Sequence, residues 1–143
     1  MFLEYLNRVF VVKLPNFTKS QISEIGHSFV KIVANNKLHI PFPQIEFEKG
    51  VKGKPFLKDY ADFHFNISHS GDFLAVAFAN SSVGVDVEKI RPVNPKIANR
   101  FFTKEEEEFI KNENDFFYVW TRKEAFIKET FLLRWFYRRQ GGK

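Results

Sequence analysis

Three short stretches at the centre of the chain constrain its fold most: FHFNI at 63–67, FLAVAFA at 73–79 and VGVDVEK at 83–89. Each is rich in β-branched or aromatic residues and bounded by turn-forming residues, so each is read as a strand. Asn80, Ser81 and Ser82 are read as a hairpin turn between the second and third. Residues 9–14 predict a further strand, ended by Pro15, and QIEFE at 44–48 alternates like an edge strand. Helical spacing of Ile22, Ile25, Phe29, Ile32 and Val33 predicts a helix over 18–35. Residues 50–62 and the stretch around Pro92 and Pro95 are read as loops. Thr103 with Glu106 three residues on has the form of a capping box, followed by helices at about 104–112 and 115–130. The predicted class is α+β, an antiparallel sheet packed on helices.

A chain of 143 residues can bury one core. Nineteen phenylalanines supply much of it, because each ring buries a large apolar area. There is no cysteine, which excludes a disulfide framework and thiolate metal sites and suits a cytoplasmic location. No apolar run approaches the roughly 20 residues of a membrane span, and the start lacks the small-residue cleavage site of a signal peptide. The formal net charge of +5 points to an acidic partner. A basic nucleic-acid-binding module is one class with that charge, but the chain has no recognisable fold signature or aromatic–basic stripe for it.

Four constellations can carry chemistry. Asp86 and Glu88 are two apart in a strand, so both carboxylates share one face while Val85 and Val87 take the other. They suit a hard dication such as Mg²⁺, or they form a solvated outer face. Ser68 and His69 follow a strand, with Gly71 turning the chain. Two hydroxyls, an imidazole and free turn N–H groups there suit an anion such as phosphate, and a polar turn is the alternative. Trp120, Glu124 and Lys128 fall at i, i+4 and i+8 on one helical face. Glu124 there can handle a metal or a proton and Lys128 a phosphate oxygen, or the two can form a simple helical ion pair. Lys52 and Lys54 sit among glycines in GVKGKPFL, where Pro55 fixes the backbone; the loop can approach phosphates or be solvated.

Taken in order, GKPFL (53–57), FNISHSG (65–71), VGVDVEKI (83–90), IANRFFTKEE (97–106) and FFYVWTRKEAFIK (116–128) resemble the surfactin-synthetase-activating type of 4′-phosphopantetheinyl transferase. SEIGHSFVK at 23–31 is similar to that family's leucine-leucine-glycine helix. The resemblance implies a two-lobed fold, with 1–92 as the first lobe and 93–128 as the start of the second. It implies Mg²⁺-dependent transfer of the 4′-phosphopantetheine arm of coenzyme A to a serine of an acidic acyl or peptidyl carrier protein. Such carriers belong to fatty acid, polyketide or nonribosomal peptide biosynthesis. Asp86, Glu88 and Glu124 would be the metal ligands. Ser23 and His69 would lie near the 3′-phosphate, and Lys54 and Pro55 would border the adenine pocket with Ser68 nearby. Lys123 and Lys128 would hold the pyrophosphate. Glu124 or a metal-bound water would take the proton. The Ser68–His69–Ser70 turn and the WTRKEA helix match this longer type rather than the short holo-carrier-synthase type.

Residues 129–143, ETFLLRWFYRRQGGK, depart from the family pattern, and Ile22 stands where the family has an arginine. The expectation is a second lobe left incomplete by truncation, with apolar surface that favours low stability or a homo-oligomer. A relative that binds coenzyme A or metal without turnover is the companion expectation.

Overall fold

The computed structural model describes residues 7–128. The tail 129–143, the last two residues of the helix expected to 130, and the side chain of Lys52 lie outside the described residues. The element order is β1 (Arg8–Lys13), α1 (Lys19–Leu38), a 3₁₀ turn (Phe42–Gln44), β2 (Phe47–Lys49), a second 3₁₀ turn (Val51–Gly53), β3 (Pro55–Leu57), β4 (His64–Ser70), β5 (Phe73–Ala79), α2 (Pro95–Phe101), α3 (Lys104–Phe109) and α4 (Glu113–Lys128). The class is α+β, as predicted.

β5 is the middle strand of an antiparallel sheet in the order β1-β5-β4. All seven of its residues are buried, because both of its faces are covered. Leu74, Val76 and Phe78 point to α1 and join Phe65, Ile22, Val30 and Val33 in one core. Phe10, Phe29 and Phe78 meet edge to face there, with ring centroids 5.1–6.1 Å apart. That geometry adds about 0.5–1.5 kcal/mol per pair beyond burial. Phe73, Ala75, Ala77 and Ala79 point the opposite way and meet Val83, Val85 and Val87.

α1 begins at Thr18, whose side chain accepts from Gln21 N while the Gln21 side chain accepts from Thr18 N. Its buried stripe is Ile22, Gly26, Val30, Val33 and Ala34. Ile32, expected on that stripe, is instead 46% exposed. Gly26 sets how closely helix and sheet approach, since a Cβ there would lie 3.0 Å from Ile67 Cγ2 and 3.1 Å from Leu74 Cδ1.

Four expectations are corrected. Ser68, His69 and Ser70, read as a turn past a strand, are instead the last residues of β4, paired with β5 as far as Ser70↔Phe73. The 83–89 stretch is not a sheet strand and Asn80–Ser82 is not a hairpin turn: β5 already has β1 on one edge and β4 on the other. With no edge of β5 free for a hairpin partner, the chain crosses onto the sheet face. Part of the 50–62 loop is strand β3, paired with β2 through Phe47↔Leu57; Gly53 at φ +76° makes the intervening turn. The Pro95 region is helix α2, whose first residue is that proline, where a missing N–H costs nothing. The Thr103–Glu106 capping box forms as predicted.

The helices after residue 94 have their own core of Phe102, Phe116, Phe117 and Val119, with Trp120 packed on it. Among the described residues no helix is long and apolar enough to cross a membrane.

Candidate active site

The site is built where segment 83–89 lies on β4. Asn66, Ser68 and Ser70 alternate on the β4 face away from α1. Their side-chain oxygens accept from the backbone N–H groups of Val85 (2.8 Å), Val87 (3.1 Å) and Lys89 (3.1 Å). A sheet ladder is thus replaced by a side-chain-to-backbone one. Ala75 and Ala77, paired with Ser68 and Asn66, are small enough to let the valines seat.

Each serine then acts a second time. Ser68 Oγ donates to Asp86 Oδ1 at 3.2 Å, and Ser70 Oγ donates to Glu88 Oε2 at 2.9 Å. Each bonded oxygen also meets a cation. Lys128 Nζ is 2.6 Å from Asp86 Oδ1, and Arg91 Nη1 is 3.1 Å from Glu88 Oε2. So one oxygen of each carboxylate is clamped and the other is not: Asp86 Oδ2 is buried without a hydrogen-bond partner. The Asp86 side chain is 5% exposed, so the solvated-face alternative does not hold for it. Burial pushes its carboxyl up to about 6, with Glu88 adding to the rise, while Lys128 and Ser68 oppose it.

These two carboxylates fit a hard divalent cation, since an orphaned buried carboxylate oxygen is the donor such an ion satisfies. Glu124 is not gathered with them: among the described residues no three His, Asp or Glu side chains stand together so as to hold a metal ion. The residue of α4 that reaches Asp86 is Lys128, one turn further on, and the simple Glu124–Lys128 pair gives way to the Lys128–Asp86 pair. Lys123 lies on another face of α4. It bonds Glu106 Oε2 at 2.7 Å and the Phe101 carbonyl at 3.1 Å, apart from Asp86.

His69 occupies the opposite face of β4 from Ser68, toward α1. Its imidazole is held below its ordinary value by burial first, then by the positive charges of Lys19, Lys128 and His27. Lys19, Ser23 and His27 succeed one another on one face of α1, and His27 Nδ1 lies 2.8 Å from the Ser23 carbonyl. Ser23 and His69 therefore sit in one basic neighbourhood, suited to an anion. Ile22, at the position of the family's arginine, is 1% exposed and belongs to the core. Lys54 Nζ donates to the Val83 carbonyl at 2.6 Å and so fixes the start of the acidic segment. Pro55 begins β3 beside it. A groove of about 610 Å³ lies elsewhere, between α3 and α4, with Phe109, Tyr118 and Phe126 in its wall.

Sequence reasoning missed Asn66 and the tie of Ser70 to Glu88, and also Arg91, Lys19 and His27. The polar alternation of NISHS was the available signal for the first two, and the i, i+4, i+8 spacing of Lys19, Ser23 and His27 for the last pair.

Two family models match the chain: the 4′-phosphopantetheinyl transferase superfamily over residues 82–137, and the 4′-phosphopantetheinyl transferase N-terminal domain over residues 11–81. The chain is 38% identical over 112 residues to the 4′-phosphopantetheinyl transferase psf-1 of Bacillus pumilus, covering 74% of this chain and 48% of that protein. It is 36% identical over 111 residues to 4′-phosphopantetheinyl transferase Sfp of Bacillus subtilis (strain 168), covering 73% and 50%. It is 37% identical over 123 residues to the mouse L-aminoadipate-semialdehyde dehydrogenase-phosphopantetheinyl transferase, covering 72% and 40%. The chain spans about half the length of the curated Bacillus relatives it matches. With the two family models following one another along the sequence from 11 to 137, the chain belongs to the 4′-phosphopantetheinyl transferase superfamily and is Sfp-like.

Proposed function

We propose that this chain takes part in moving the 4′-phosphopantetheine arm of coenzyme A onto a serine hydroxyl of an acidic acyl or peptidyl carrier protein. In that reaction the serine oxygen forms a bond to the β-phosphorus, and adenosine 3′,5′-bisphosphate leaves. The observation that carries the reading is the serine-clamped pair Asp86 and Glu88, each with one bonded and one unbonded oxygen, beside Lys128.

Asp86 and Glu88 would hold Mg²⁺, which supplies charge neutralisation of the diphosphate when bound. Lys128, at the same carboxylate, supplies a second positive charge to the leaving diphosphate. Glu124 is the proposed proton acceptor and third acidic ligand, acting from α4 four residues before Lys128. Its separation from the carboxylate pair favours a second reading, in which the chain binds coenzyme A without turnover. His69 and Ser23, with Lys19 and His27 around them, are proposed to receive the 3′-phosphate. Lys54 and Pro55 border the adenine and Ser68 stands nearby. Lys123 is engaged by Glu106, so Lys128 is the principal pyrophosphate lysine in this proposal. Acidic carriers suit the net charge of +5. A cytoplasmic location agrees with the absence of cysteine.

The test mixes the protein with coenzyme A, Mg²⁺ and an apo carrier protein. The carrier should gain the mass of one phosphopantetheine. Coenzyme A binding without mass gain selects the second reading, and no binding at all sinks both.

A further inference from the structure

We propose that Arg91 and Ser70 are positioning residues for Glu88, fixing its Oε2 so that Oε1 is the oxygen offered to a divalent cation. The proposal rests on the reading of Asp86 and Glu88 given above.

A glutamate has three rotatable side-chain bonds, and an ordinary surface ion pair does not hold it in one place. Glu88 is held differently. Ser70 Oγ, itself fixed by the Lys89 N–H, donates to Oε2 at 2.9 Å. Arg91 Nη1 donates to the same oxygen at 3.1 Å and to the Lys89 carbonyl at 3.1 Å. The guanidinium also lies over the ring of Phe117, 5.2 Å from its centroid. Phe117 belongs to the helical core and is buried. Arg91 is therefore anchored at the backbone of the acidic segment and on α4, and Glu88 inherits that anchorage. Both bonds fall on Oε2; among the described residues Oε1 takes none. The arrangement repeats at Asp86, where Ser68 and Lys128 share Oδ1 and Oδ2 is orphaned. Two clamps thus leave two oxygens, one on each acid.

The geometry separates positioning from charge by sign. A cation near a metal site repels the metal, so deleting a mere bystander arginine tightens binding. Deleting a residue that orients a ligand loosens it, commonly by tenfold or more. The stacking on Phe117 also distinguishes Arg from Lys, which keeps the charge but has no planar face to lay on the ring.

The experiment titrates Mn²⁺ into the full chain and follows free Mn²⁺ by electron paramagnetic resonance, for wild type, Arg91→Ala, Arg91→Lys and Ser70→Ala. Urea unfolding in chelator monitors folding of each. The expected result is about tenfold weaker binding for Arg91→Ala and Ser70→Ala, with Arg91→Lys between them and wild type. Unchanged or tighter binding in Arg91→Ala, or full rescue by Arg91→Lys, overturns the proposal while leaving the metal reading intact. No Mn²⁺ binding by wild type overturns the metal reading and this proposal with it.

Discussion

Lys128 Nζ lies 2.6 Å from Asp86 Oδ1 and ties the last turn of α4 to the segment resting on β4. The ammonium faces a carboxyl that burial has already pushed up to about 6, so the pair passes from neutral acid to ion pair as pH rises through that value. A divalent ion arriving at Oδ2 would favour the ionised form.

That balance gives the metal-free protein a specific pH dependence. Asp86 has a folded-state value above its ordinary 3.8, so the folded protein binds the proton more readily than the unfolded chain. This contribution is fully present below about pH 4 and is lost as pH rises through 6, a fall on the order of 3 kcal/mol. In chelator, urea unfolding of wild type minus that of Asp86→Asn should decline across this window. A flat difference would show that burial does not govern Asp86.

Ser68 does two tasks at once, so its removal costs more than one hydrogen bond. Ser68→Ala leaves the buried Val87 N–H without its partner and Asp86 Oδ1 with Lys128 alone. The expected loss is about 1–3 kcal/mol by chemical unfolding. Ser70→Ala should lose less, because the Lys89 N–H it serves is exposed.

His69 should titrate below its ordinary 6.5 in the free protein, as burial and the charges of Lys19, Lys128 and His27 require. Binding of adenosine 3′,5′-bisphosphate should raise it, since an anion favours the imidazolium. Nuclear magnetic resonance of the ring proton reads both values. A midpoint that does not move on saturation with the nucleotide removes His69 from the proposed phosphate neighbourhood.

The β4–β5 turn needs glycine at its first loop position. Gly71 has φ +58°, and a Cβ there would come within 2.6 Å of Lys89 Cδ. Gly71→Ala should destabilise the protein by about 1–2 kcal/mol from backbone conformation alone. It should also disturb the Lys89–Asp72 ion pair, now at 3.3 Å. Wild-type thermal stability in this variant would contradict the assigned backbone.

The two lysines of α4 should separate in a transfer assay. Lys128→Ala removes the cation beside Asp86 and should slow transfer at least tenfold, as loss of a charge-stabilising group does. Lys123→Ala breaks a partly exposed pair with Glu106 and should cost about 1 kcal/mol or less in stability, with little effect on transfer. Equal kinetic losses would return Lys123 to the diphosphate.

Local chemistry was legible in the sequence wherever a short-range rule governed it. The Thr103 capping box, the β5 strand at 73–79, the turn at Gly71 and the inward Val85 and Val87 all follow from spacing and residue type. What escaped is non-local. Alternating valines in 83–89 read equally well as a ladder strand or as a chain lying on a sheet face, and only the occupied edges of β5 decide between them. Glu124 and Lys128 share a helical face in sequence, but which one reaches Asp86 depends on how α4 approaches the segment. Arg91 gave no periodic signal because its partners are Glu88 and the Lys89 carbonyl, in a segment that is neither helix nor strand, and a ring on α4.

The side-chain ladder between β4 and 83–89 has a built-in ambiguity. Ser68 and Ser70 each recognise an acid and the N–H that follows it, so a shift of two residues would still match a hydroxyl to a carboxylate. The hydroxyls alone cannot choose the alignment. Asn66 opposite the Val85 N–H, Lys54 on the Val83 carbonyl and Asp72 against Lys89 break the degeneracy from the two ends. Sliding by one notch would put the longer acid where the shorter one now stands, so these end markers determine which carboxylate is the buried one.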